Sequence, residues 1–315
     1  MSTWASTFTT TTTPYFAPAD SLPAPLPSYE ETADCQDLLP ENQWEPMDRD
    51  LLHINDHYVA KYGRYVLPIE VENMFFVKKH CPNIIMPTVY AMYTRESTGN
   101  NVIIMEHIRG GECLYDVRNR RLKMDQKKGV MAQLQSYLDA LHSIPSDSPE
   151  PYYGHFGKRP FPSPARFSGP FSSAHDFNAA HWQTHALHYA RDGKVDDAIL
   201  KLTDAYQGWF EGLTAGNDAP VFCHGQFSST SIMIRDDGKA VLTNWESAGF
   251  WPAYTECLPD AWQHKTWRQL NYVPREVIMF LLKARTALDD RRFDLEHDEE
   301  EDRNRTNEAY QIQKT

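Results

Sequence analysis

Residues 221–256, VFCHGQFSSTSIMIRDDGKAVLTNWESAGFWPAYTE, decide how the rest of the chain is read. Within them Ile232 and Ile234, then Val241 and Leu242, flank an Asp237-Gly238 pair. Short apolar runs on either side of Asp-Gly predict two strands joined by a tight turn. Polar residues that a plain hairpin does not need bracket it: His224-Gly225-Gln226 before, Asn244-Trp245-Glu246 after. His224 can move protons near neutrality. Gln226 and Asn244 both donate and accept hydrogen bonds without carrying charge.

On the N-terminal side, HYVAKY (57–62), PTVYAMY (87–93) and NVIIME (101–106) predict strands, being rich in β-branched and aromatic residues and bounded by turn signals. Between the first two, Glu70–His80 carries Val71, Met74 and Phe75 at helical spacing. Longer helical stripes follow: Val130, Met131, Leu134, Tyr137, Leu138 and Leu141, then Ile199, Leu202, Tyr206, Phe210 and Leu213. Val277, Ile278, Leu281 and Leu282 mark a last helix. Strands first and helices later, with one hairpin among the helices, predict an α+β chain of two lobes with a cleft between them. The divisions expected are a Thr/Pro-rich, largely unstructured lead-in (1–45), a strand-rich N-lobe (46–108), a helical C-lobe (109–288) and an acidic tail (289–315). Trp4, Tyr15 and Phe16 are the lead-in residues able to dock on the body.

The chain of 315 residues has 31 Lys and Arg against 43 Asp and Glu, a net charge of −12. An acidic balance argues against nucleic acid or an anionic membrane surface as partner, since phosphate binding needs a basic face. Nine of the acids lie between Asp289 and Asp302, so the body is only mildly acidic. The five cysteines are scattered and spell neither a disulfide framework nor a CxxC metal site. No apolar run reaches the roughly 18 residues of a membrane span. No Lys or Arg precedes Arg49, unlike a basic targeting peptide. A reduced, cytoplasmic protein is the expectation.

With its spacing kept throughout, the 221–256 stretch resembles the signature of the aminoglycoside phosphotransferase and choline kinase-like family, in the variety common in fungal genomes. That signature runs His-Gly-Asp, Asn, a hairpin, Asp-Trp-Glu, Gly and Pro-x-Tyr-x-Glu. Here it reads His224-Gly225-Gln226, Ser231, Asp237-Gly238, Asn244-Trp245-Glu246, Gly249, Pro252, Tyr254 and Glu256. VAKYGRYVLPIEVENM (59–74) is similar to the family's strand with its nucleotide lysine, Lys61, and helix with a partner glutamate, Glu70 or Glu72. NVIIMEHIRGG (101–111) looks like the strand into the interlobe hinge, where Glu106 and His107 would offer backbone groups to an adenine. The resemblance covers about residues 50–285. It implies a bilobal protein kinase-like fold and, in its ordinary form, phosphoryl transfer.

The departures fall on the chemistry. Kinase catalysis needs a carboxylate to orient the attacking hydroxyl, and a carboxylate and an amide to hold magnesium. By the resemblance those positions are Gln226, Asn244 and Ser231, and all three have changed. Gln226 cannot act as a base near pH 7. Asn244 keeps the shape of an aspartate without its charge. No glycine precedes Gly63, so the chain entering Lys61 cannot form a glycine-rich phosphate loop. The reading these residues favour is a metal-independent enzyme acting on a small organic molecule by cyclisation, isomerisation or elimination, with no cofactor and no metal. The family's habits imply a place in fungal secondary metabolism.

The candidate catalytic residues are His224, Gln226, Asn244 and Glu246, with His224 as a structural brace the alternative role. Candidate substrate contacts are Lys61, Glu70, Ser231, Trp245 and Trp251, together with His181 and His185, which share a helix face with His188. Transition-metal chelation by the i, i+4 pair and a plain amphipathic face are the other readings of those histidines, and a Lys61 ion pair to Glu70 or Glu246 the other reading of the charged groups. A non-catalytic pseudokinase, a decayed paralogue and a kinase whose metal sits on Glu246 or Asp236 stay open. The oligomeric state is not legible.

Overall fold

The structure is a computed structural model that describes residues 14–40, 49–117, 122–158, 169–188, 195–257 and, except 278, 282, 285 and 289, 276–290. A five-stranded antiparallel sheet forms the N-terminal lobe in the order β1-β4-β5-β3-β2. Its strands are β1 (Tyr15–Phe16), β2 (Arg49–His53), β3 (Tyr58–Gly63), β4 (Val89–Thr94) and β5 (Asn101–Glu106). The β2–β3 turn is closed by Asn55, whose Oδ1 accepts from the His57 and Tyr58 amides at 2.8 and 3.1 Å. Helix α2 (Pro68–His80) follows β3. Pro68 opens it, where a missing N–H costs nothing, and Lys78, Lys79 and His80 face the negative end of its dipole.

The C-terminal lobe holds α3 (Leu114–Val117), α4 (Met124–His142), α5 (Ala174–His188) and α6 (Asp197–Thr214). Two small sheets accompany them: β6 (Glu112–Cys113) with the hairpin β8 (Ile232–Ile234) and β9 (Ala240–Leu242), and β7 (Pro220–Cys223) with β10 (Gly249–Pro252). The hairpin pairs Ile232 with Leu242 and Ile234 with Ala240, and Gly238 takes φ +80° at its turn. The buried stripe of α4 is the expected one, Val130 to Leu141. On α6 it is rotated: Thr203 and Thr214 are buried, whereas Leu213 is 40% exposed. Both threonine hydroxyls donate to the carbonyl four residues back, at 2.5 and 3.0 Å, so their burial leaves no hydroxyl unsatisfied.

Residues 14–40 correct the expectation of an unstructured lead-in. β1 pairs with β4, and the Leu39 amide donates to the Leu51 carbonyl beside β2, so the segment covers both edges of the sheet. Between them it lays Ala17, Leu22, Ala24, Leu26 and Cys35 on the outer sheet face, against Tyr58, Tyr90, Tyr93, Val102 and Ile104. A capping box at Ser28 and Glu31 starts its α-helix, α1 (Tyr29–Asp34). Of the expected docking aromatics, Tyr15 meets Phe75 edge-on and Phe16 stacks on Tyr93, while Trp4 lies outside the described residues.

The inner face of the sheet shares one core with the C-terminal lobe, including Val59, Met74, Ile103, Leu134, Phe222 and Trp245. A second cluster joins Phe177, Trp182, Phe210, Trp251 and Tyr254. Among the described residues no helix is long and apolar enough to cross a membrane. The acidic tail beyond Asp290 lies outside the described residues.

Candidate functional site

Pairing of β3 with β5 turns Lys61 inward, and the first turn of α2 brings Glu70 beneath it. Lys61 Nζ lies 3.3 Å from Glu70 and donates to Asn244 Oδ1 at 2.9 Å. Of the two glutamates expected as its partner, Glu70 makes this ion pair. Glu246 Oε2 is 3.8 Å from the same ammonium, and its Oε1 accepts from Arg49 at 2.7 Å. All four charged side chains are at least nine-tenths buried. Two cations and two carboxylates thus close a neutral network. Burial alone would push the Glu246 carboxyl up, but Lys61 and Arg49 override it and hold it well below the usual carboxylate range.

Asn244 enters this network from a left-handed backbone, φ 62°, ψ 64°. Asparagine is among the few side chains that tolerate that region. The following 3-10 turn is tied to α2 by Asn73, whose Nδ2 donates to the Trp245 carbonyl at 2.7 Å. The hydrogen bonds and the αL turn present the Asn244 oxygen to the lysine rather than to solvent.

Beside the network lies an interlobe cavity of about 340 Å³. Leu51, Val59, Met74, Met105, Ile108 and Met233 give it apolar walls, and Leu39 and Pro40 from the lead-in cover one side. Lys61, Glu70, Asn244 and Trp245 border its inner end, with Glu106, Glu112 and Asp116 at other points of the wall. At the hinge, where Glu106 and His107 are expected to offer backbone groups to an adenine, both amides are already engaged. The Glu106 amide donates to Thr88 O at 2.8 Å and the His107 amide to His57 O at 3.0 Å.

His224 is fully buried and braced by backbone on both sides of its ring: Nε2 bonds the Thr243 carbonyl at 3.0 Å and Nδ1 accepts from the Gln226 amide at 3.3 Å. Burial pushes its pKa down to about 4, so the ring is neutral at physiological pH. Glu256 holds the same turn from below, accepting from the His224 and Gly225 amides at 2.5 and 3.0 Å. Gly225 has φ +78°, and a Cβ there would come within 2.2 Å of the Ser247 carbonyl oxygen. Burial raises the Glu256 pKa to about 7 despite these bonds.

The expected site residues therefore separate into groups. Lys61, Glu70, Asn244 and Glu246 come together, with Trp245 buried beside them, its indole donating to Leu242 O. His224, Gln226, Ser231 and Glu246 are not among the residues lining the cavity, and the Ser231 side chain is wholly buried against Ser228. His181 and Trp251 lie in another region, both packed on Phe177 at ring distances of 6.3 and 5.4 Å. The side chains of His185 and His188 lie outside the described residues. Arg49 was missed. Its place as the first basic residue after a long acidic lead-in was its only signal.

A bilobal α+β protein kinase-like fold is defined by these elements. The chain is similar in structure to a thermostable mutant of aminoglycoside phosphotransferase APH(4)-Ia in its apo form, with a TM-score of 0.56 and 17% identity over 84% of this chain and 92% of that one. A further mutant of that enzyme, in ternary complex with ADP and hygromycin B, matches with a TM-score of 0.54 and 17% identity over 84% and 91%. No protein-family model and no curated protein matches the chain.

At Ser231 and Asn244, where the resemblance puts the magnesium ligands, the residues present offer that ion no anionic oxygen. Magnesium requires anionic oxygen ligands in near-octahedral array. Here the oxygen of Asn244 is spent on Lys61, Ser231 is buried away from the cavity, and Glu246 is already neutralised by Arg49 and Lys61.

Proposed function

We propose that this chain is a phosphotransferase-like protein without kinase chemistry, whose covered interlobe cavity receives a small organic molecule and promotes its cyclisation, isomerisation or elimination without metal. The observation that carries the reading is the closed Arg49–Glu246–Lys61–Glu70 network with Asn244. In a kinase the lysine and the metal meet phosphate charge; here each charged group already has an internal counter-ion, and a triphosphate would have to displace one. The wall carboxylates Glu106, Glu112 and Asp116 add further repulsion to a polyanion. The covering of the cavity by Leu39 and Pro40 favours catalysis over scaffolding, because a catalyst gains from holding its substrate away from water. Catalysis then rests on shape, on the Asn244 amide and on proton exchange with the Lys61–Glu70 pair. A place in fungal secondary metabolism is part of the same proposal.

A second reading, a non-catalytic pseudokinase, draws on the same closed network. Each of the groups at the inner end is paired, so a proton can reach a ligand only after a pair opens. Calorimetric titration with ATP, with and without magnesium, followed by an assay for ADP, tests the shared premise. No heat in either condition is expected. Magnesium-dependent binding with ADP formation would return the protein to the kinases. Turnover of a co-purified small molecule separates the enzyme from the pseudokinase.

A further inference from the structure

Away from the cavity, three groups with metal-binding chemistry converge under the His224-Gly225 turn. His142 ends α4, Cys223 ends β7 and Glu256 lies in the 3-10 turn Ala253–Cys257. Their donor atoms all lie within 4.8 Å of one another. Cys223 and Glu256 are fully buried. We propose that His142, Cys223 and Glu256 form a structural site for zinc or a similar transition-metal ion. The inference is independent of what the interlobe cavity binds.

The donor set selects the ion. Imidazole nitrogen, thiolate and one carboxylate suit zinc and its neighbours, whereas magnesium and calcium need oxygen alone. In a tetrahedral zinc site donors stand about 3.3–3.8 Å apart, so these three, now within 4.8 Å of one another, need draw in by at most about 1.5 Å. A fourth donor is at hand in the main chain, because Cys223 Sγ already lies 3.5 Å from the Trp251 carbonyl oxygen. The two backbone amides on Glu256 leave lone pairs on its oxygens and fix its orientation, as bonds behind metal ligands generally do.

Charge balance also suits a buried ion. A thiolate, a carboxylate and a neutral imidazole sum to the opposite of a divalent cation, so the occupied site is neutral. The ion would pin α4, β7 and the 253–257 turn beneath the loop that carries Gln226.

The test is metal analysis of the full chain produced in zinc-supplemented medium, together with cobalt(II) spectra of the chain refolded under reducing conditions. About one zinc per chain and a thiolate-to-cobalt band in the near ultraviolet are expected. Cys223→Ser should abolish the band, and His142→Gln should lower metal retention at least tenfold while leaving a thiolate to report any residual binding. Wild-type protein that carries no zinc and shows no band overturns the proposal, whether or not the variants fold. A band that survives Cys223→Ser overturns it too.

Discussion

At Glu246 a carboxylate with only 8% of its side chain exposed is held by two cations from different strands, Lys61 on β3 and Arg49 on β2. Burying such charges costs several kcal/mol each, and the mutual attraction repays it only while every partner stays in place. The neighbouring His224–Glu256 pair is also buried, and in the chain kept metal-free with a chelator its two members respond to pH with opposite sign. Glu256 takes up its proton more readily folded than unfolded; its contribution is complete below its ordinary value of 4.5 and fades as pH rises toward 7. His224 contributes above its ordinary 6.5, and that contribution is lost as pH falls toward 4. His142 and His107, also lowered by burial, add to the side of His224. Each of the two large shifts is worth about 3 kcal/mol when fully developed, so between pH 4.5 and 6.5 they largely cancel. Glu256→Gln removes one side of the balance. Its denaturation midpoint should climb with pH across this window more steeply than that of the wild type; parallel profiles would refute the assignment.

Among the elements, the lead-in has the largest consequence for the site. Its residues 14–40 roof the outer sheet face, and Leu39 and Pro40 close one side of the cavity. The Tyr58 hydroxyl donates to the Ala24 carbonyl, and Tyr29 meets Tyr93 edge-on. Deleting residues 1–40 should therefore uncover Tyr90, Tyr93, Val102 and Ile104 and lower the melting temperature by about 5 °C or more. A thermal scan with a hydrophobic dye checks both effects; an unchanged melting temperature and no dye binding would mean that the roof contributes nothing. Helix and hairpin positions were legible because their periodicities are local: the stripe on α4 and the Asp237-Gly238 turn need no distant partner. The docking of the lead-in was read only as far as its aromatics, since proline-rich composition is the same for a free segment and for one laid on a sheet. The run NVIIM did hold a clue. Val102 and Ile104 face outward while Ile103 and Met105 face inward, and a strand apolar on both faces needs a cover on both.

Across the whole molecule, the two lobes meet through a continuous core, through Asn73 to the Trp245 carbonyl, and through the Arg49 and Lys61 contacts to Glu246. On the proposed reading, giving this site magnesium takes more than replacing three side chains. Gln226→Asp, Ser231→Asn and Asn244→Asp together should give no measurable heat of magnesium binding, because Arg49 still neutralises Glu246. Adding Arg49→Met to the three should be needed before calorimetry detects the ion. Magnesium binding by the triple variant alone would show that Arg49 does not block the site.

The sequence by itself determined the α+β order of elements, the hairpin and the uncharged side chains at Gln226, Ser231 and Asn244, since these are properties of residue type and local spacing. Which groups satisfy one another was decided only by tertiary structure. Arg49 reaches Glu246 across 197 positions, and Lys61 reaches Asn244 across 183. Electrostatic pairing and burial depend on distance in space, and no local pattern encodes it.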